Sequence, residues 1–386
     1  MDRRRGASLA ILTLCGFGPS LPPRDDYMLN LKQPIAGIAA SALVIAVSLG
    51  FISLFDAPKF MGWVSFCLIS VIPMEIVIGI AWGCKKPEFA ASCPQPLKGF
   101  LLILLTLLVG AVGGAATRAV VGGNVNPPVP MLMMCTIAMV VVTFTATIMF
   151  GGWPFNSLIK DPIAAGLSML AACYVINYLL FRLFFNYFFM QGAPVYVASL
   201  DPRGLFNANL ALVFYITCNS IMFLVLNFDL WPFTLSTSLM RQPVLGLAWT
   251  LLCLVLGGVV SSVGIFALGM DPLRFMVRVP IPFIFGTIIV MNMLHGTLFR
   301  KFAQPVRGVL NALTSAVIGT VLALLYSALC RSISGPLRSG PPANDFEIWL
   351  ASALLGVTFP FLIFYAEFLQ FWQLRKHESQ IAVNGD

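Results

Sequence analysis

Ten apolar, nearly charge-free runs of about 20 residues follow one another along the chain, at 35–55, 61–82, 99–117, 131–150, 163–185, 208–228, 244–268, 281–299, 306–330 and 347–371. A helix rising 1.5 Å per residue crosses the ~30 Å hydrocarbon layer in about 20 residues, so each run is long enough to span a bilayer. With 59% of 386 residues apolar and 10% charged, the chain lacks the polar surface to cover a water-soluble core of this size. The expected fold class is all-α: a polytopic membrane bundle of about ten transmembrane helices arranged as five parallel two-helix repeats. The expected organisation is an N-terminal cytoplasmic or interfacial segment (1–34), a transmembrane domain (35–371) and a cytoplasmic tail (372–386).

The repeat rests on a recurring phrase. Gln-Pro-apolar-x-Gly occurs as "QPIAG", "QPLKG", "QPVLG" and "QPVRG", and "DPIAAG" is a looser copy with Asp161 in place of Gln. Each copy stands where an odd-numbered run begins. Proline suits a helix's first turn, because its φ is already helical and the N–H it lacks would be unpaired there. Fourteen residues after Pro96, Pro243 and Pro305 comes a second glycine, Gly110, Gly257 and Gly319. A small residue about four turns into a membrane helix lets a neighbouring backbone approach closely. Even-numbered runs close on aromatic residues, most clearly Trp153-Pro154-Phe155 and Trp231-Pro232-Phe233, as rings do at headgroup depth. Every unit holds two spans, so all copies enter from the same side and are related by an axis along the membrane normal.

Ten spans place both termini on one face. That face collects 15 of the 23 Lys and Arg residues, which by the positive-inside rule makes it cytoplasmic and puts the chain in the cytoplasmic (inner) membrane, both ends inside. The net charge of +8 is then a consequence of topology and gives no reason to expect a nucleic-acid partner, which calls for a basic patch on a soluble module. The N-terminal apolar stretch of about 11 residues is too short to span and has no small-x-small cleavage site. Leu14 before Cys15 argues against a lipid-modified cysteine. Nine scattered cysteines form no C-x-x-C pair. No phosphate-binding loop, nucleophile elbow or H-E-x-x-H motif is present, and two histidines, one in the tail, do not supply a membrane haem. No cofactor is expected.

The residues that stand out are polar groups inside apolar runs. Glu75, two residues after Pro73, is an intramembrane carboxylate, and such groups are retained at a cost of a few kcal/mol as proton relays, cation ligands or substrate contacts. The competing reading is a protonated carboxyl or an interhelical hydrogen bond. Asn177, Asn219, Asn292 and His295 complete a candidate substrate or ion path, against the plainer reading of amide and imidazole groups joining helices. Met131, Cys135 and Met139 recur every four residues and offer the soft donors that select Cu(I), though both residue types are also ordinary packing material. Glu367, Arg182 and Arg300-Lys301 sit near span ends and read as anchors at the headgroups.

The function these features favour is membrane transport: a permease or channel-like subunit moving a small solute or ion, with Glu75 as the coupling site. The expected partners are the lipid bilayer, that solute or ion, and a further membrane subunit. The alternatives are an intramembrane enzyme acting on a lipid or quinone, for which no acid, base or metal cluster can be assembled, and a non-catalytic scaffold using the small-residue faces.

Overall fold

A computed structural model describes residues 31–83 and 85–374, among which ten helices are long and apolar enough to cross a membrane. They are α1 (Ile35–Ile52), α2 (Ala57–Ala81), α3 (Leu97–Val120), α4 (Pro130–Met149), α5 (Pro162–Phe184), α6 (Ala208–Asn227), α7 (Val244–Ala267), α8 (Pro272–Met293), α9 (Val306–Ser334) and α10 (Asp345–Phe368). The readings made of the N-terminal segment through residue 30, including Cys15, and of the tail from residue 375 lie outside the described residues. The chain is thus a multi-pass helical membrane protein.

Burial sorts the helices into two classes. In the even-numbered helices 67–78% of the most apolar window is buried, against 28–39% in the odd-numbered ones. Hydropathy does not make this distinction, since mean values run from 1.7 to 2.3 in the even set and from 1.8 to 2.4 in the odd set. The even helices are inner because they pack on one another in chain order, α2 on α4, α4 on α6, α6 on α8, α8 on α10, and α10 back on α2. The result is a closed ring of five. Each odd helix lies outside, over the groove between two ring members: α1 over α8 and α10, α3 over α10 and α2, α5 over α2 and α4, α7 over α4 and α6, α9 over α6 and α8.

The Gln-Pro phrase sets these positions. Each odd helix starts directly after its proline (Pro34, Pro96, Pro243, Pro305), and the preceding glutamine faces two ways. Gln95 Oε1 accepts from Gly99 N (3.3 Å), capping its own helix, while its Nε2 donates to Phe368 O at the end of α10 (2.8 Å). Gln242 does the same with Gly246 N (3.3 Å) and Met149 O of α4 (2.8 Å). Gln304 accepts from Gly308 N (2.9 Å) and donates to Asp229 just beyond α6 (2.7 Å), and Gln33 donates to Met293 O of α8 (3.1 Å). At Gln95 and Gln242 the amide satisfies one orphan N–H of its own helix start and one orphan C=O of another helix's end, whereas Gln304 donates to a carboxylate and Gln33 Oε1 has no partner among the described residues. At α5, Asp161 takes this role: it accepts from Ala164 N (3.0 Å) and pairs with Lys85 beyond α2. The Lys85 hydrogen bond holds the Asp161 carboxyl below the usual carboxylate range.

The phrase's glycine makes the approach possible. A Cβ on Gly99 would lie 2.8 Å from Phe368 O, one on Gly246 2.5 Å from the Phe150 ring, and one on Gly166 2.6 Å from Trp82 Nε1. The deeper glycines are contact points as well. A Cβ on Gly110 would lie 2.7 Å from Val71 Cα of α2, and one on Gly257 2.6 Å from Cys218 Sγ of α6. The closest meeting is α8 with α9, where Gly286 rests on Ser315 O and Gly319 rests on Pro282 O.

Widened turns end four of the five inner helices, and outer α7 as well, where Leu268 N reaches Val263 O (2.9 Å). At the ends of α2, α4, α8 and α10 the last N–H reaches back five residues, Trp82 to Val77 (2.9 Å), Phe150 to Thr145 (3.2 Å), Leu294 to Ile289 (2.9 Å) and Leu369 to Phe364 (2.8 Å). Such widened turns free side chains to point inward and are frequent at functional sites. The eighth span also differs from its expected bounds of 281–299. It begins nine residues earlier, at Pro272, because Asp271 accepts from Arg274 N (3.1 Å) as an N-cap while exposed Arg274 and Arg278 face outward. It ends at Met293, where the widened turn passes into left-handed residues His295 and Gly296.

On the face opposite the described chain ends, Phe185–Asn186 pairs in parallel with Phe206–Asn207. Asp201 ties this loop down, accepting from Tyr187 N (3.2 Å), Arg203 N (2.9 Å) and Tyr196 Oη (3.0 Å). Asp201 and Asp271 are therefore both committed to holding backbone in place.

Candidate functional site

The axis of the inner ring encloses a cavity to which all five even helices contribute. Its position follows from the kinked course of α2. Pro73 has no N–H to give to Ile69 O, and the helix breaks over Ser70 and Val71 before resuming at Ile72. Gly110 and Gly114 of α3 seat against this break, at Val71 Cα and Ser70 Oγ. The turn that resumes carries Glu75, and a turn further on Gly79, whose missing side chain leaves nothing within 4 Å.

Glu75 lies six residues before the end of α2, whereas Glu367 and Asn292 each lie one residue before the ends of α10 and α8. At 1.5 Å per residue the five-residue difference puts Glu75 about 7.5 Å deeper. The mouth, on the face where the described chain begins and ends, carries Asn292 and Glu367, both partly exposed, with Asn292 Nδ2 donating to Glu367 Oε1 (3.4 Å). Lys86, which follows α2, acts electrostatically on Glu367 and donates to Gly83 O (2.8 Å). Beside Glu75 the cavity is lined by rings in edge-to-face contact, Phe144 of α4 with Phe223 of α6 (5.4 Å) and with Phe359 of α10 (6.0 Å). Glu75 is 1% exposed, and neither carboxylate oxygen has a hydrogen-bond partner among the described residues. A buried carboxylate with unmet acceptors costs several kcal/mol unless a proton, a cation or water meets them.

Of the residues singled out in the sequence, Glu75 and Asn292 share this cavity. Asn177 does not line it; its amide donates to Cys135 O (3.0 Å) and Cys135 Sγ (3.4 Å), fastening α5 to α4. Asn219 is buried on α6 away from the cavity lining. His295 lies past the end of α8 with φ 52°, its ring 5.3 Å from Phe371, so it shares no helical face with Asn292. Met131 and Cys135 pack in the main core, whereas Met139 packs with Val71 and Met74 in a second cluster. Among the described residues no three His, Cys, Asp or Glu side chains converge as metal ligands.

Glu367 corrects its reading as a headgroup anchor, for it faces inward from the widened last turn of α10. The sequence signal was the four-residue spacing of Phe359, Ile363 and Glu367, which marks one face. A second polar cluster escaped the sequence reading altogether. Asn227 of α6 donates to Thr287 Oγ1 of α8 (3.0 Å) and accepts from Ser315 Oγ of α9 (3.4 Å), joining three helices beside the α8–α9 glycine contact.

A larger cavity of about 590 Å³ lies off the axis, walled by α4, α5, α6 and α7. Its lining carries no charged side chain, so it offers nothing that binds or moves a charge. Comparison of the chain with protein-family profiles, curated proteins and solved structures returned no match. The axial site is therefore read from its own chemistry.

Proposed function

We propose that this protein moves a small solute or ion across the membrane along the axis of the α2–α4–α6–α8–α10 ring, with Glu75 binding and releasing the transported or coupling species. The observation that carries this reading is a carboxylate 1% exposed, with no hydrogen-bond partner among the described residues, on the lining of a cavity bordered by all five inner helices. Intramembrane carboxylates that face a cavity mark ion and substrate paths. The kink at Pro73 and the widened turns around the mouth are the irregular backbone that membrane helices tolerate where they border a cavity. Asn292 and Glu367 form the mouth of the path, and the Phe144, Phe223 and Phe359 rings are the barrier that has to part. The face bearing the described chain ends is taken as cytoplasmic on the sequence alone, where the ten-span reading assigns it 15 of the 23 basic residues.

The proposal extends to the origin of the ring, five duplicated helical hairpins inserted in the same sense. It is supported by the recurrence of one joint, in which the start of each odd helix is bound to the end of the even helix three places back in cyclic order.

The test is reconstitution in liposomes, with uptake of candidate ions and solutes followed for wild type and Glu75→Gln. Uptake that falls at least tenfold in the variant, with its helical circular dichroism retained, supports the path. Uptake unchanged by the substitution refutes it.

A further inference from the structure

We infer that the axial cavity is a binding site for a small monovalent cation of alkali-metal or ammonium size. The inference rests on the transport reading above and specifies its substrate class.

Charge decides the sign. The polar groups at the cavity are the Glu75 carboxylate from α2, the Glu367 carboxylate from α10 and the Asn292 amide from α8, while α4 and α6 present only aromatic and aliphatic side chains. No Lys or Arg lines it. Asn292 turns its N–H toward Glu367, leaving its Oδ1 as an acceptor, so the lining offers an incoming ligand oxygen acceptors. An anion finds no charged donor there, only the second N–H of the Asn292 amide.

Balance decides the valence. Lys86, whose Nζ donates to Ile78 O (2.5 Å) and Gly83 O (2.8 Å), acts electrostatically on Glu367, whereas no basic side chain lines the cavity at Glu75. One carboxylate charge is left to be matched.

Volume decides the size. The cavity leaves about 40 Å³ for the centres of water molecules. A space of that order holds a few waters. That accommodates a bare or partly hydrated monovalent ion. The unpartnered oxygens of Glu75 supply ligands.

The test uses the full chain in lipid nanodiscs at constant ionic strength. Thermal unfolding is followed while choline is replaced by sodium, potassium or ammonium as the chloride, with tetramethylammonium as the oversized control. The expected result is saturable stabilisation by at least one of the three small cations, absent with tetramethylammonium and weakened at least tenfold in apparent affinity in Glu75→Gln. Should Glu75→Gln fail to fold, Gly79→Val serves, because it fills space now empty beside the carboxylate and is expected to abolish the same stabilisation. Stabilisation that persists in these variants, that tetramethylammonium reproduces, or that no small cation produces overturns the assignment. Glu75-dependent uptake of an anion or neutral solute, without a cation effect, overturns the cation and leaves the axial route standing. Cation stabilisation without flux has the opposite meaning.

Discussion

The meeting of α8 and α9 allows a stability prediction from geometry alone. In Gly286→Ala the new methyl would overlap Ser315 O and sit 2.6 Å from Ser315 C and 2.9 Å from Gly319 N. Ordinary contact begins at 3.4 Å. All three obstacles are backbone, so no flexible side chain can swing aside and the two helices have to part by more than 1 Å. A gap of about 0.5–1 Å already forfeits about a quarter to a half of each dispersion contact along the pair. Overfilling a packed interior costs about 1–3 kcal/mol, and a rigid site such as this one belongs at the upper end, so we expect a loss of about 3 kcal/mol. Gly319→Ala meets Pro282 O in the same seam and is expected to cost a similar amount. Once one methyl has parted the helices the other needs less room, so the double variant is expected to lose at least 1 kcal/mol less than the sum of the singles. Gly50→Ala, where nothing lies within 4 Å, is the control, expected to be neutral or slightly stabilising. Reversible unfolding in mixed micelles of mild detergent and dodecyl sulfate measures all four. A Gly286→Ala protein within 0.5 kcal/mol of wild type, on the ~1–3 kcal/mol scale of overpacking, refutes the reasoning.

Two further outcomes follow from the joints between helices. Gln242→Ala removes both the Gly246 cap and the bond to Met149 O, and at about 1 kcal/mol per net hydrogen bond it should lower stability by about 1–2 kcal/mol in the same unfolding assay. Asp161 has a depressed carboxyl pKa in the folded protein because of Lys85, so its contribution is present above the unfolded value and is lost as pH falls through the folded one. Unfolding midpoints of wild type and Asp161→Asn should accordingly differ at neutral pH and converge below the ordinary carboxylate range, and parallel curves down to that acidity would contradict the assignment.

The spans were legible because a bilayer sets their length, and the glycines because a missing side chain in an apolar run signals close approach. The ring was not legible. Inner α2 and outer α3 have the same mean hydropathy yet are 67% and 33% buried, and only contacts tell which face meets lipid. The glutamines show why: the proline explained the helix start, whereas the partner of Gln95 is a carbonyl 273 residues away that no local pattern announces. Glu75 stood out through the cost of a charge in mid-span. Glu367 was misplaced because a carboxylate one residue from a helix end reads as reaching for water, and its inward direction depends on a widened turn that the sequence does not mark. His295 was drawn into the eighth span for the same reason, since the apolar run outlasts the helix.

The seat of α1 has a consequence for biogenesis. The earliest-made of the ten described spans packs over α8 and α10, with Gln33 on Met293 O and Phe51 against Phe361. Its partners are translated more than 200 residues later, as the separation of Gln33 from Met293 shows. Until then α1 must wait in lipid or in the keeping of the insertion machinery, and the barrel of helices can shut only after α10 has been made.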